Sequence, residues 1–208
     1  MTNYARRERE QLADLLLSTG PDAPTLCTGW TTRDLAAHIV VRERRPDSAA
    51  GLVIPPLREY GEKIRLSRAA LDYAELIDQL RKPPVWSPVS NPLVDPLANT
   101  MEFFIHHEDV RRAGTGWEPR TLDLPEQVAL WRAVKLTSRA ALRRLKISAE
   151  ITATGFEPLR TGAEPQVRIS GDAGELAMFF SGRQRAARVT VDGDPALAER
   201  LRKARLGV

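Results

Sequence analysis

The segment NTMEFFIHHEDVRR, Asn99 to Arg112, constrains this chain more than any other stretch. Glu102 and His106 stand four residues apart, a spacing that puts both on one helix face, one turn above the other. Phe103, Phe104 and Ile105 lie between them and predict that much of this helix is buried. A carboxylate and an imidazole side by side in such a place need a partner, and one divalent cation satisfies both. The chain has only three histidines. Two are His106 and His107; the third, His38, sits in the apolar run Leu35-Ala36-Ala37-His38-Ile39-Val40-Val41. Taken alone, a histidine so placed serves as a hydrogen-bonded core residue. Beside the Glu102/His106 pair it becomes a third candidate ligand, so folding has to bring His38, Glu102 and His106 together.

Two imidazoles and one carboxylate leave a metal with one or two open coordination positions, which catalytic sites keep and structural sites lack. Zinc suits these donors; nickel, manganese and iron are compatible with them. A metal held this way binds water or a thiolate and lowers its pKa, or polarises a carbonyl oxygen. The same three residues also suit a non-catalytic protein that binds a metal or a small ligand. Asp109, three residues after His106, is placed to orient one of the rings, or else to pair with an arginine such as Arg111 or Arg112. His107 lies about 100° round the helix from His106 and is expected beside the ligands or partly exposed rather than among them. Arg42, one turn after His38, is a candidate to hold an anionic substrate group. No phosphate-cradling glycine loop, nucleophile elbow or H-E-x-x-H motif occurs.

The remainder of the chain supplies the scaffold. A first helix is expected from Tyr4 to Ser18, with Leu12, Leu15, Leu16 and Leu17 inward and Arg6, Arg7, Arg9 and Glu10 in water. Gly20-Pro21 ends it, and Cys27 falls in the loop that follows, as a small filler rather than a nucleophile. Thr31 caps the next helix, with Asp34 completing the first turn and Trp30 packing back as a staple. Arg42 to Pro56 has loop character. Helices follow over about 57–68 and 73–80, then a proline-rich crossing loop from Arg81 to Pro96 anchored by Val85, Trp86, Val89, Leu93 and Val94. The Glu102 helix runs from Leu97 to about Ala113. Another starts near Pro125 and carries Val128, Leu130, Trp131, Val134, Leu136, Ala140 and Leu142. Past Lys146 the pattern becomes β-β-α-β-α: strands over 147–154, 166–170 and 187–191, helices over 173–180 and after Pro195. The expected architecture is therefore an α domain over 1–146, with four main helices, followed by a small α+β domain over 147–208.

Charge narrows the partners. The formal net charge is +4, but basic residues alternate with acids, as in RRERE, and no aromatics interleave with them. A small-molecule partner is expected, not nucleic acid. No run reaches membrane-span length and no signal peptide is evident, so a cytoplasmic protein is expected. The single Cys27 excludes an internal disulfide within the chain.

Two blocks carry a family resemblance: Trp30-Thr31-Thr32-Arg33-Asp34-Leu35-Ala36-Ala37-His38, and Glu102-Phe103-Phe104-Ile105-His106-His107-Glu108-Asp109-Val110. They resemble the mycothiol-dependent maleylpyruvate isomerases, within the DinB-like group of metal-binding four-helix bundles. The family pattern is W-x-x-x-D-L-x-x-H followed by E-x-x-x-H-x-x-D. The run Val167 to Asp194 is similar to the sterol-carrier-like C-terminal domain of known members. The resemblance implies His38, Glu102 and His106 as ligands of a divalent metal, zinc above all. It implies mycothiol or a related thiol as co-substrate in an isomerase or transferase reaction, and a substrate carboxylate held by Arg183. Arg42 to Pro96, where the substrate pocket is expected, is more similar to the uncharacterised metal-binding branch of the family than to the isomerase itself.

Overall fold

Thr31 begins the helix that presents His38, and it does so with a complete capping box: its side chain accepts from the Asp34 backbone N–H, and the Asp34 carboxylate accepts from the Thr31 N–H. In the computed structural model, which describes residues 4–49, 58–87 and 95–207, this helix is α2, Thr32–Arg44. It runs three residues beyond Val41, into the segment expected to be loop. Around it lie α1 (Tyr4–Thr19), α3 (Arg58–Ala69), α4 (Tyr73–Arg81) and α5 (Asp95–Arg111). A 3-10 turn over Pro46–Ala49 follows α2.

These five helices belong to the first of two compact units, Met1–Trp117 and Glu118–Val208. In the first, α1 packs on α5 and α4, and α2 packs on α3 and α4. Leu12 and Leu16 of α1, Leu35 and Ile39 of α2, Leu76, Ile77 and Leu80 of α4 and Phe103 of α5 make the core. Leu17 does not join them; it is exposed. Arg9, expected in water, is buried. Its guanidinium forks onto Glu43 of α2 at 2.7 and 2.6 Å, donates to the Leu80 carbonyl and lies over the Phe103 ring. The expected anchors Val85 and Trp86 are instead exposed. Val89, Leu93 and Val94 lie outside the described residues, and Pro96 stands in the first turn of α5 rather than in the loop.

The second unit begins ahead of the expected boundary at 146. Its long helix α6 (Leu124–Leu145) starts at the Asp123 cap with Pro125 in the first turn, and packs on α7 (Ala173–Phe180) within that unit. Leu130, Trp131, Val134 and Leu142 are buried on α6, whereas Leu136 and Ala140 face solvent. Four strands form one sheet in the order β2-β1-β3-β4: β1 (Ala149–Ala153), β2 (Leu159–Thr161), β3 (Val167–Gly171) and β4 (Thr190–Gly193). β1 and β3 run parallel, with Ile151 opposite Ile169; β2 and β4 are antiparallel to their neighbours. β2 falls in a stretch whose turn signals masked it. It is too short to show alternation, yet it pairs its buried Leu159 with Ile151. β4 starts at Thr190, later than expected; a 3-10 turn over Gln184–Ala186 precedes it, and the Arg188 N–H goes to Glu175 Oε2. Gly193, at φ +114°, lies opposite Val167, and a Cβ there would clash with the Gln166 carbonyl. Helix α8 (Pro195–Lys203) closes the unit. Among the described residues no helix is long and apolar enough to cross a membrane.

Two stability predictions follow from these contacts. Arg9→Ala removes both hydrogen bonds that this guanidinium gives the buried Glu43, so denaturant unfolding should show a loss of about 3–5 kcal/mol; a loss below about 1 kcal/mol would contradict the pairing. Partial burial pushes the Asp34 carboxyl up, but the Thr31 N–H, the Thr31 hydroxyl and Arg65 outweigh this and hold it below its ordinary value. A carboxyl depressed by folding stabilises the native state above its unfolded pKa of about 3.9 and loses that contribution as pH falls through the lower folded value. The stability gap between wild type and Asp34→Asn should therefore be widest near neutral pH and shrink below about pH 4.

Candidate metal centre

His38 projects from the second turn of α2, and Glu102 and His106 from successive turns of α5. One donor atom from each of the three lies within 4.8 Å of the other two. The Glu102 Oε1 atom is 3.6 Å from His38 Nε2 and 3.3 Å from His106 Nε2. Those separations are long for hydrogen bonds. They fit ligand atoms around a common centre, because two donors each about 2.0–2.2 Å from a tetrahedral metal stand about 3.3–3.6 Å apart. The His38 and His106 rings meet edge to face, their centroids 5.3 Å apart. The side chains of His38 and Glu102 are about one-third exposed while His106 is buried.

The opposite edge of His106 is organised differently. Its Nδ1 is 2.9 Å from Asp109 Oδ2, and the same oxygen accepts from the Cys27 Sγ at 3.2 Å. Cys27, His106 and Asp109 form a second group with donor atoms close together, but these two spacings are those of shared protons rather than of ligands round a metal. Asp109 is fully buried. A carboxylate can only accept, so Nδ1 carries a hydrogen toward Asp109, and Nε2, which faces Glu102, is the nitrogen that could turn a lone pair to a cation once its own proton is displaced. Cys27 is held in this place by its loop, whose Leu26 N–H donates to the Asp109 carbonyl and whose Thr25 hydroxyl donates to the Trp30 carbonyl. Cys27 packs against the core as a filler would, and its sulfur also reaches the buried carboxylate. Eighty-two residues separate the two, and no local pattern signals the contact.

Charge follows this geometry. Burial pushes the Glu102 carboxyl up, but both imidazoles and Arg42 outweigh it and hold Glu102 well below the usual range. Burial pushes His106 down, and Asp109, Cys27 and Glu102 together raise it well above its ordinary value. For His38 burial dominates and lowers it. Arg42 does face the cluster: its Nε is 3.4 Å from Glu102 Oε1 and its Nη1 donates to Asn99 of α5. His107 is turned away, buried, with Nδ1 3.0 Å from Glu8 of α1. Its ring therefore takes part in the α1–α5 packing. Arg183 lies in the second unit, in the turn after α7, where its guanidinium donates to the Ser181 carbonyl.

The profile of the mycothiol maleylpyruvate isomerase N-terminal domain matches residues 5–111, just over half of the chain, and the match spans every residue of the cluster. The chain belongs to that family. No curated protein and no solved structure matches it. The mycothiol maleylpyruvate isomerase family uses a thiol and binds metal, and the His, Glu, His donor set with these separations fits a divalent ion. Removing the hydrogen bond that orders the His106 ring should weaken such binding. A chelator-competition titration of Asp109→Ala is expected to show zinc held roughly 10–100-fold less tightly than by wild type; equal affinity in a folded variant would leave Asp109 without that role.

Proposed function

We propose that this protein is a metal-dependent enzyme, with zinc as the ion, that uses mycothiol or a related low-molecular-weight thiol as co-substrate in an isomerase or S-transferase reaction. The observation that carries this reading is the spacing of His38 Nε2, Glu102 Oε1 and His106 Nε2, which suits three ligands of one ion and leaves a position for a further ligand. Family membership supplies the thiol. When bound, the metal provides a place where a thiol sits as thiolate at neutral pH.

The chain's own residues supply the rest. His38, Glu102 and His106 hold the ion. Asp109 holds a proton of His106 on Nδ1, so that Nε2 is the nitrogen left to an ion. Arg42 places a guanidinium beside Glu102, where it can take one carboxylate of an anionic electrophile. Arg183 is a second candidate for substrate carboxylate binding, on the strength of the resemblance. The thiolate would add to an activated double bond of that electrophile, the resulting carbanion either taking a proton to give the thioether or, after rotation about the former double bond, expelling the thiolate to give the isomer; alternatively it would displace a leaving group, which departs with its bonding electron pair. We read the first unit as a DinB-like four-helix bundle and the second as a sterol-carrier-like domain. A reducing, cytoplasmic setting suits one free thiol in the protein and a thiol co-substrate.

Metal content and turnover test this together. Protein purified without added metal should contain about one zinc per chain, and His106→Ala should fall to background. The zinc form, mixed with mycothiol and a panel of unsaturated and halogenated carboxylic acids, should isomerise or conjugate at least one of them, while the metal-stripped form should not. Zinc binding with no reaction across the panel would leave a binding protein in place of an enzyme.

A further inference from the structure

Metal-binding histidines almost always donate their second ring nitrogen to an acceptor, and that outer bond fixes the plane of the ring. His106 has such a bond, to Asp109. For His38, among the described residues no group hydrogen-bonds Nδ1. What lies against its ring is Trp30, the residue just ahead of the α2 cap, with ring centroids 5.1 Å apart and planes tilted by 46°. Trp30 is itself covered. The Arg65 guanidinium, from α3, lies over the indole with its Cζ 5.1 Å from the ring centroid, within the range of a cation–π contact.

Arg65 is fixed on its other edges. Its Nε and Nη2 donate to the two oxygens of Glu62, at 2.9 and 2.6 Å, and its Nη1 donates to Asp34 Oδ1. The remaining oxygen of Asp34 accepts from the N–H and hydroxyl of Thr31. One carboxylate therefore caps the helix that presents His38 and anchors the cation that covers Trp30. The Arg65 side chain is only 10 % exposed, although its partner Glu62 is 51 % exposed, so this is not a solvated surface pair.

We propose that Arg65 is a positioning residue: acting through Trp30, it sets the plane of the His38 imidazole and thereby the affinity of the site for a divalent cation. The inference rests on the assignment of His38, Glu102 and His106 as metal ligands. An alternative role for Arg65, as a staple between α3 and α2 alone, predicts altered stability and unaltered metal affinity.

Zinc affinity of the full chain, measured by competition with a chromophoric chelator, separates the two roles, with far-ultraviolet circular dichroism to confirm folding. Arg65→Ala is expected to bind zinc about tenfold more weakly, the lower end of the range for lost outer contacts. Arg65→Lys keeps the charge without the flat fork and should recover part of that loss. Trp30→Leu should weaken binding as much as Arg65→Ala, and the double variant should be no worse than Trp30→Leu, because the arginine acts through the indole. Glu62→Ala leaves the Arg65–Asp34 bond in place and should bind nearly as wild type. Should Arg65→Ala not fold, Arg65→Lys against Trp30→Phe supplies the same comparison, the ring-retaining variant staying close to wild type and the lysine variant falling below it. Wild-type affinity in folded Arg65→Ala, or in Arg65→Lys and Trp30→Leu together, would overturn the proposal, as would full additivity of the two losses. A wild-type chain that binds no zinc overturns the ligand assignment, and this proposal with it; a wild type that binds zinc while Arg65→Ala binds equally overturns this proposal alone.

Discussion

One sealed carboxylate holds the first unit's polar interior in order. Asp109 is fully buried, and burying an anion is tolerable only where donors surround it. It finds them in the His106 ring and the Cys27 thiol, while its backbone carbonyl accepts from Leu26. The loop between α1 and α2 is thereby fastened to α5. That loop ends in Trp30 and the Thr31 cap, so the start of α2, and with it the placement of His38, depends on the same anchorage. The two ring nitrogens of His106 divide the work: one satisfies the buried anion, the other faces Glu102 and His38.

Two further buried polar pairs of the unit join different helices. Arg9 of α1 meets Glu43 of α2, and Glu8 of α1 meets His107 of α5. Such pairs add little net stability compared with apolar residues of the same shape, but breaking one is costly. Their effect is to penalise arrangements in which the partners miss. Leu12, Leu16, Phe103 and their neighbours supply apolar burial that many packings could satisfy; the polar pairs admit far fewer.

Local chemistry was the part of this fold that could be read from the sequence. The Thr31–Asp34 capping box, the Pro125 start of α6, the Asp194-Pro195 start of α8 and the stop at Gly20 are written in neighbouring residues, and all are present. The Glu102/His106 pair was legible for the same reason, since helix geometry makes it local. What escaped depends on distance along the chain. Arg9 looks like a water-facing residue until Glu43 and the Leu80 carbonyl arrive beside it. Trp30 looks like a staple until the ring of His38 is found against it, and Cys27 looks inert until Asp109 comes within reach. The helix over 124–145 was legible as a helix, but its allegiance to α7 was not, because an amphipathic face does not name the surface that covers it.

The histidine doublet on α5 has a further consequence. His106 meets the ring of His38 on α2, while His107, one step round, pairs with Glu8 on α1. A slip of α5 by a single residue would turn it by about 100° and hand each imidazole to the wrong partners. Two identical side chains in succession thus work like the wards of a lock, admitting only one rotational setting of the helix.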